Sequence, residues 1–428
     1  MTTPNPCAVP PREFFSTPLG AMPDPSHSHH GLLELGHQEL HDERRMTEST
    51  ATSAGLKGVI AGRSGICIID GEQGLLAYRG YDIHDLAEHS TFEETAYLLW
   101  EGELPTRVDL ADFTTMLVGQ RTVPASVLDL IAAAPPDALP MATLRTAVSA
   151  LGAADALGED MSPRANRAKA ARLTAQIATL TAAIERCRQG LEPVAPDPAL
   201  GHAANFLYMV RGERASAAAC RSFDVALVLH ADHGFNASTF SARVTAGTLS
   251  DMHSAITSAI GTLKGPLHGG ANQRVKEMLD EIGTPDRVVD YVDAALAAKK
   301  RIMGFGHRVY RVEDPRARHL KAHAENLKDE GDPMMLETSA RLIDVMQERK
   351  GLAINVDFYS ASLYTYLGLP ADLFPNLFAL SRITGWTAHV IEQYADNQLI
   401  RPRSEYTGPG QRHYRLLDER SFRIFRHP

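Results

Sequence analysis

Four segments in the second half of the chain gather residue types that suit chemistry better than a core. "LHADHGFNAST" (Leu229–Thr239) places His230, Asp232 and His233 at the end of an apolar helical run. HxxH spacing can put two imidazoles on a metal, but no third ligand or general-base Glu of a zinc site stands nearby. The other reading is a helix C-terminus with hydrogen-bonded polar residues. In "KGPLHGGAN" (Lys264–Asn272), Gly265-Pro266 ends a helix, and Gly269-Gly270 let the backbone pass close to something beside His268. His268 is either a structural turn residue or an imidazole kept neutral by the following helix N-terminus, whose N–H would donate to a developing oxyanion. "MGFGHRVYRVEDPRAR" (Met303–Arg318) leaves backbone N–H groups free in a glycine-rich loop, with Arg308, Arg311, Arg316 and Arg318 around it. Such a basic patch suits a phosphate or carboxylate. Lastly, "NVDFYSASLY" (Asn355–Tyr364) sets Asp357 at the mouth of an apolar helix, where its plain reading is a helix N-cap.

The elements that must position these residues are almost all helical. Leu144, Ala147, Val148 and Leu151 recur at i, i+3, i+4, i+7, as do Ile256, Ala259, Ile260 and Leu263. Leu342, Val345 and Met346 continue the period on a helix stopped by Gly351, and Thr91 with Glu94 has capping-box spacing. Only the entrance reads as β: Val59–Ala61, Gly65–Ile69 and Leu75–Tyr78 are short β-prone runs, the last two separated by the turn signal "DGEQG". No strand–helix alternation of the βαβ kind follows. The expected class is all-α with a small N-terminal β element.

Composition narrows the function classes. A length of 428 residues, 44% hydrophobic and 22% charged, suits a globular protein of two or three folding units. Lys+Arg 43 against Asp+Glu 52 gives a net −9, a poor balance for wrapping nucleic acid or lying on anionic lipid. Any anion must therefore be held in a locally basic pocket. No apolar run approaches the ~20 residues of a membrane helix. Cys7, Cys67, Cys187 and Cys220 lie far apart with no CxxC pair, and read as reduced thiols of a cytoplasmic protein. No P-loop and no GxSxG elbow is present, and "GFGHRV" has Val where a dinucleotide fingerprint needs its third glycine. Residues 1–45 are proline-rich and aperiodic, with no secretory or mitochondrial pattern; the stretch 1–55 is expected to be a disordered extension, its His27, His29 and His30 incidental, with Met46 a possible true start.

The order His233, His268, His307, Asp357, in "HADHGFN", "GPLHGGAN", "GFGHRVY" and "NVDFYSA", resembles citrate synthase from about Gly55 to about Gly408. "GLKGVIAG" and "YRGYDIHDLAEHSTFEETAYLLWEGELPT" resemble the shorter bacterial and archaeal members, which include 2-methylcitrate synthases. The resemblance implies an all-α homodimer whose two domains close over the substrates, here a large domain of residues 56–270 plus 378–428 and a small domain of 271–377. It implies condensation of acetyl-CoA with oxaloacetate and water to citrate and CoA, with CoA a cosubstrate and neither a tightly bound cofactor nor a metal. Asp357 would be the base, His268 the donor to the thioester oxygen, and His307 the donor to the ketone of oxaloacetate. His233, Arg316 in "EDPRAR", Arg382 in "LSRITGW" and Arg401 in "IRPRSEYTG" would hold substrate carboxylates, Arg401 by crossing to the neighbouring subunit. Arg301, Gly304, Phe305 and Gly306 would contact CoA; Arg308, Arg311 and Arg403 read as solvated surface. Two alternatives stand beside this reading. One is 2-methylcitrate synthase, using propionyl-CoA. The other is a silent CoA- or tricarboxylate-binding relative, against which the presence of Asp357 with all three histidines argues.

Overall fold

The computed structural model describes residues 54–56 and 58–420, so nearly all of the expected N-terminal extension, with Met46 and its histidines, lies outside the described residues. The described residues divide into two compact units: residues 63–400, and residues 54–56 and 58–62 with 401–420. In the second unit, 401–416 runs without helix or strand, and one 3-10 turn follows at Leu417–Glu419. The expected strand at Val59–Ala61 does not form. Val59 and Ile60 are 50% and 90% exposed, and so short a run has no stability without a partner strand.

The first unit opens on a three-stranded antiparallel meander, β1 (Cys67–Asp70), β2 (Leu75–Tyr78) and β3 (Tyr81–Asp82), in the register Cys67–Tyr78 to Asp70–Leu75. Asp70 Oδ1 accepts the N–H groups of Glu72 and Gln73 at 2.9 and 3.0 Å and so shapes the Gly71–Gly74 turn. Helices account for the rest: α1 (Ile83–His89), α2 (Phe92–Glu101), α3 (Arg107–Gly119), α4 (Ala125–Ala132), α5 (Pro140–Ala154), α6 (Pro163–Arg188), α7 (His202–Arg211) and α8 (Ala217–His230). Then come α9 (Ala237–Ala246), α10 (Met252–Leu263), α11 (Ala271–Ile282), α12 (Val288–Ala297), α13 (Ala317–Asn326), α14 (Met334–Lys350), α15 (Val356–Tyr366) and α16 (Phe374–Ala395). The all-α class with its small β entrance is borne out.

The periodic stripes bury as their spacing requires. On α5 and α10 all eight residues named above are at most 4% exposed, and each buried Leu or Ile contributes roughly 1.5–3 kcal/mol. Thr91 does cap α2, accepting the Glu94 N–H at 3.2 Å, and Gly351 ends α14 at φ +60°. Buried almost throughout, α16 packs against α2, α6, α8, α9 and α10; α11–α15 pack largely on one another. The site residues emerge at the end of α8, the start of α15, one face of α16 and the loops before α11 and α13. No helix among the described residues is long and apolar enough to cross a membrane.

Candidate active site

His230 is the last residue of α8, its Nδ1 donating to Ala226 O at 2.8 Å, as a helix-end histidine should. The next three residues turn sharply, and their turn is gripped from two sides. Tyr78 Oη lies 3.0 Å from Asp232 O and accepts the Asp232 N–H at 3.2 Å. Asp232 takes the Gly234 N–H at 2.9 Å and faces His389 Nε2 at 3.3 Å. Burial alone would raise the Asp232 carboxyl, but His389, Arg382 and the Gly234 N–H hold it at about 2. His233 is thereby aimed away from the helix, with Nε2 3.1 Å from Tyr310 Oη and its ring centroid 5.4 Å from that of His307. Burial, with Arg316 behind it, keeps His233 well below the ordinary imidazole range. Among the described residues no group of three or more metal-ligating side chains converges, so the HxxH metal reading finds no third partner.

His307 has its protonation fixed by the backbone. The N–H groups of Val309 and Tyr310 both donate to Nδ1, at 3.0 and 3.1 Å, so the single ring proton of the neutral imidazole sits on Nε2. Burial first, then Arg316, lowers its pKa to about 4. His268 is the mirror case. Its Nε2 receives the Ser238 N–H at 3.3 Å and lies 2.8 Å from Ser238 Oγ. The hydroxyl proton has two takers, that nitrogen and Asn236 Oδ1 at 2.8 Å, and the backbone N–H decides for an unprotonated Nε2. Nδ1–H is then the free donor. His268 is pushed down to about 4, by burial first and then by the charge of Arg382.

Asp357 is the second residue of α15 and not its cap; Asn355 caps, accepting the Asp357 N–H at 3.1 Å. No donor among the described residues bonds the Asp357 carboxylate. The residue is half-buried, and the protein packed around its carboxyl, with Asp314 adding like charge, lifts its pKa to about 6 against the opposing pull of Arg316 and Arg382. At neutral pH it is an ionised carboxylate of raised basicity, which is what proton abstraction asks for.

The two guanidiniums are buried and differently committed. Arg316 is 2% exposed and forks onto Asp314, Nε to Oδ1 at 2.9 Å and Nη2 to Oδ2 at 2.7 Å. The pair holds Asp314 far below and Arg316 above their usual ranges, and leaves Arg316 Nη1 for an incoming anion. Arg382, 1% exposed, donates Nε to His230 O at 2.7 Å and lies 4.7 Å over the Phe378 ring, while Nη2 has no partner. Its charge reaches Asp357, His233 and His268 alike. An unpaired buried donor costs free energy until something accepts from it, and here a carboxylate would.

Gly304 and Gly306 take φ +81° and +73°, and the segment is stitched to 353–355 through Asn355 N to Gly304 O at 2.9 Å and Gly306 N to Ala353 O at 2.8 Å. Phe305 pairs with Ile354 and packs its ring 5.1 Å from Phe358. Arg301 is exposed; Arg401, in the second unit, is exposed and bonded to nothing among the described residues. Six residues therefore share one neighbourhood: His233, His268, His307, Arg316, Arg382 and Asp357. Sequence reasoning missed Asp314, Tyr310, Ser238 and Trp386, whose Nε1 donates to Ser238 Oγ at 3.1 Å. Only Asp314, two residues before Arg316, left a local signal.

The chain is similar to known proteins over most of its length. The family profile "Citrate synthase, C-terminal domain" matches residues 55–403. Citrate synthase of Haloferax volcanii is 50% identical over 372 residues, 86% of this chain and 98% of that protein. The 2-methylcitrate synthase of Mycobacterium tuberculosis is 45% identical over 359 residues, 84% and 91% of the two chains. A solved ternary complex of carboxymethyl coenzyme A and oxaloacetate with citrate synthase from Thermoplasma acidophilum superposes with a TM-score of 0.82 at 35% identity, covering 86% of this chain and 99% of that one.

Proposed function

The chain belongs to the citrate synthase family, and from that premise we propose which of its residues carry the condensation of acetyl-CoA with oxaloacetate and water to citrate and CoA. Asp357 removes a proton from the thioester methyl. His268 Nδ1–H donates to the thioester oxygen as the enol forms, and His307 Nε2–H donates to the ketone oxygen of oxaloacetate as it becomes an alkoxide. The new carbon–carbon bond gives citryl-CoA, and water then cleaves its thioester to citrate and CoA. His233, Arg316 Nη1 and Arg382 Nη2 hold the carboxylates of oxaloacetate; Arg301 and the Gly304–Gly306 segment contact CoA. The observation that carries the assignment is one half-buried carboxylate of raised pKa without a protein donor, under the charges of Arg316 and Arg382, which also act on two imidazoles of fixed tautomer. A passive binder needs no such base.

The finer assignments follow the same reading. The protein works as a cytoplasmic homodimer at the entry of the tricarboxylic acid cycle, with no tightly bound cofactor. Free thiols at Cys67, Cys187 and Cys220 suit a reducing compartment. Tyr406, Tyr414, Leu416 and Leu417 are 75%, 83%, 63% and 73% exposed on the C-terminal arm, an apolar surface that a second subunit would cover. Residues 56–270 plus 378–428 form the large domain and 271–377 the small one, in keeping with α11–α15 packing on one another. Arg401 is supplied across the subunit interface. Mixing Arg401→Ala with Asp357→Asn subunits tests this: a crossing arm leaves one intact pocket per heterodimer and activity returns, whereas an arm serving its own chain restores none.

Acetyl-CoA is the acyl donor. One methyl group separates it from propionyl-CoA and is worth only ~1–3 kcal/mol in an apolar pocket. Comparing kcat/KM for the two thioesters tests the assignment directly. A preference for acetyl-CoA is expected; a preference for propionyl-CoA would make the chain a 2-methylcitrate synthase, and turnover of neither would leave a silent binder.

A further inference from the structure

The turn between β1 and β2 lies more than two hundred residues from His307 in sequence, yet it touches the loop that holds this histidine. Gly71 O accepts the Arg311 N–H at 2.8 Å. A Cβ on Gly71 would stand 2.2 Å from Val309 O and 2.8 Å from Val309 C, both backbone atoms that no rotamer change can move. Gly71 does not need a positive φ, so close approach alone demands glycine here. Three residues on, a Cβ at Gly74 would meet Val312 Cγ2 at 2.9 Å. Glu72 and Arg311 add an exposed ion pair at 3.9 Å, which contributes little.

The peptide that Gly71 abuts is the one that matters. Val309 C=O and Tyr310 N–H belong to a single planar unit. Its oxygen presses on Gly71, and its N–H donates to His307 Nδ1 at 3.1 Å. The next peptide is tied to Gly71 through the Arg311 N–H. We propose that the Gly71 turn is a positioning element for His307: it clamps the Val309–Tyr310 peptide so that its N–H stays on Nδ1 and the ring keeps its proton on Nε2, facing the ketone. The clamp rests on the catalytic role given to His307 above. Turning that peptide by the room a methyl needs removes one of two donors from Nδ1, weakens the hold on the tautomer and swings Nε2–H off the developing alkoxide. Tyr310 Oη, 3.1 Å from His233 Nε2, moves with it, so both imidazoles lose a common reference.

Gly71→Ala tests the clamp in the full chain. Histidine-selective 15N spectra, with His307 assigned through the signal lost in His307→Gln, are expected to show a single Nε2–H tautomer in the parent and a mixture in Gly71→Ala. In the same variant kcat should fall about 10- to 100-fold, the size expected for a misplaced group, with the KM for acetyl-CoA within about 2-fold. A folded Gly71→Ala that keeps one tautomer and parental kcat would overturn the proposal. Should that variant not fold, amide exchange in the parent decides: the Arg311 N–H should exchange as slowly as the β1–β2 amides, and an unprotected Arg311 N–H would show that no clamp exists. The spectra are recorded without substrate. Citrate formation by His307→Gln at the parental rate would therefore overturn the catalytic role of His307 separately from the clamp.

Discussion

Asp224 and Asp357 occupy different regions, and burial raises both carboxyls, to about 7 and about 6. Asp224 lines a groove of about 500 Å³ between α2, α3, α7 and α8, together with Glu93 and the buried His202, itself lowered to about 3. A perturbed acid, a perturbed imidazole and a cavity make this the more conspicuous place. Its two carboxylates are nonetheless spoken for. Asp224 accepts the Phe92 N–H at 3.0 Å and an Arg221 N–H at 3.0 Å; Glu93 accepts the His202 N–H at 2.7 Å. These carboxylates complete helix N-termini, supplying the acceptors that first-turn N–H groups lack. Asp357 has no such donor, and the charges that act on it belong to Arg382, whose Nη2 is unpaired, and to Arg316, whose Nη1 is spare. A shifted pKa locates burial; a carboxylate left without a partner locates function.

The largest effect that separates the two regions is on turnover. Asp357→Asn should fold, bind oxaloacetate and lose condensation by about 10³- to 10⁴-fold, since an amide cannot take the proton. Asp224→Asn should keep kcat within about 2-fold. Equal losses in both, measured as citrate formation at matched folded fraction, would erase the distinction. Next come the imidazoles. His268→Ala and His307→Ala should each lower kcat about 10²- to 10³-fold, the range for a lost oxyanion donor. Isothermal titration of oxaloacetate separates them: binding is retained without His268 and weakened without His307. The opposite pattern would mean that the two roles are exchanged.

Much of the site was legible because four short motifs each keep their chemistry local. Gly304, Gly306 and His307 are neighbours in sequence, so the loop that needs positive φ is written beside the residue it carries. Arg316 and Asp314 are likewise two apart, though an Asp before Pro-Arg reads as a turn until its fork is seen. What could not be read depends on long-range contact. Ser238 meets His268 and Trp386 across distances of 30 and 148 residues, and Gly71 meets Val309 from a hairpin that looked merely like a turn signal. The helical stripes of α5 and α10 follow from period alone, whereas Val59–Ala61 had β-prone residues and no strand to pair with. Local propensity cannot supply a neighbour.

A smaller effect concerns stability. Folding raises Asp224 from an ordinary carboxyl value near ~4 to about 7, so between these pH values the folded chain binds more protons than the unfolded one. Its contribution is complete below the unfolded value and is lost as pH rises through the folded one. Asp224→Asn removes that slope. Its melting temperature relative to the parent should therefore rise between about pH 5 and 8; an offset constant with pH would show that Asp224 does not titrate there.

The central claim, that the donor-free carboxylate is the base, is tested most directly by the pH dependence of kcat/KM for acetyl-CoA at saturating oxaloacetate. Asp357 near 6 and the two imidazoles near 4 predict an acid limb of unit slope falling below about pH 6, unchanged in Asp224→Asn. A limb that moves with Asp224→Asn, or that lies down at about 4 where the imidazoles titrate, would contradict it.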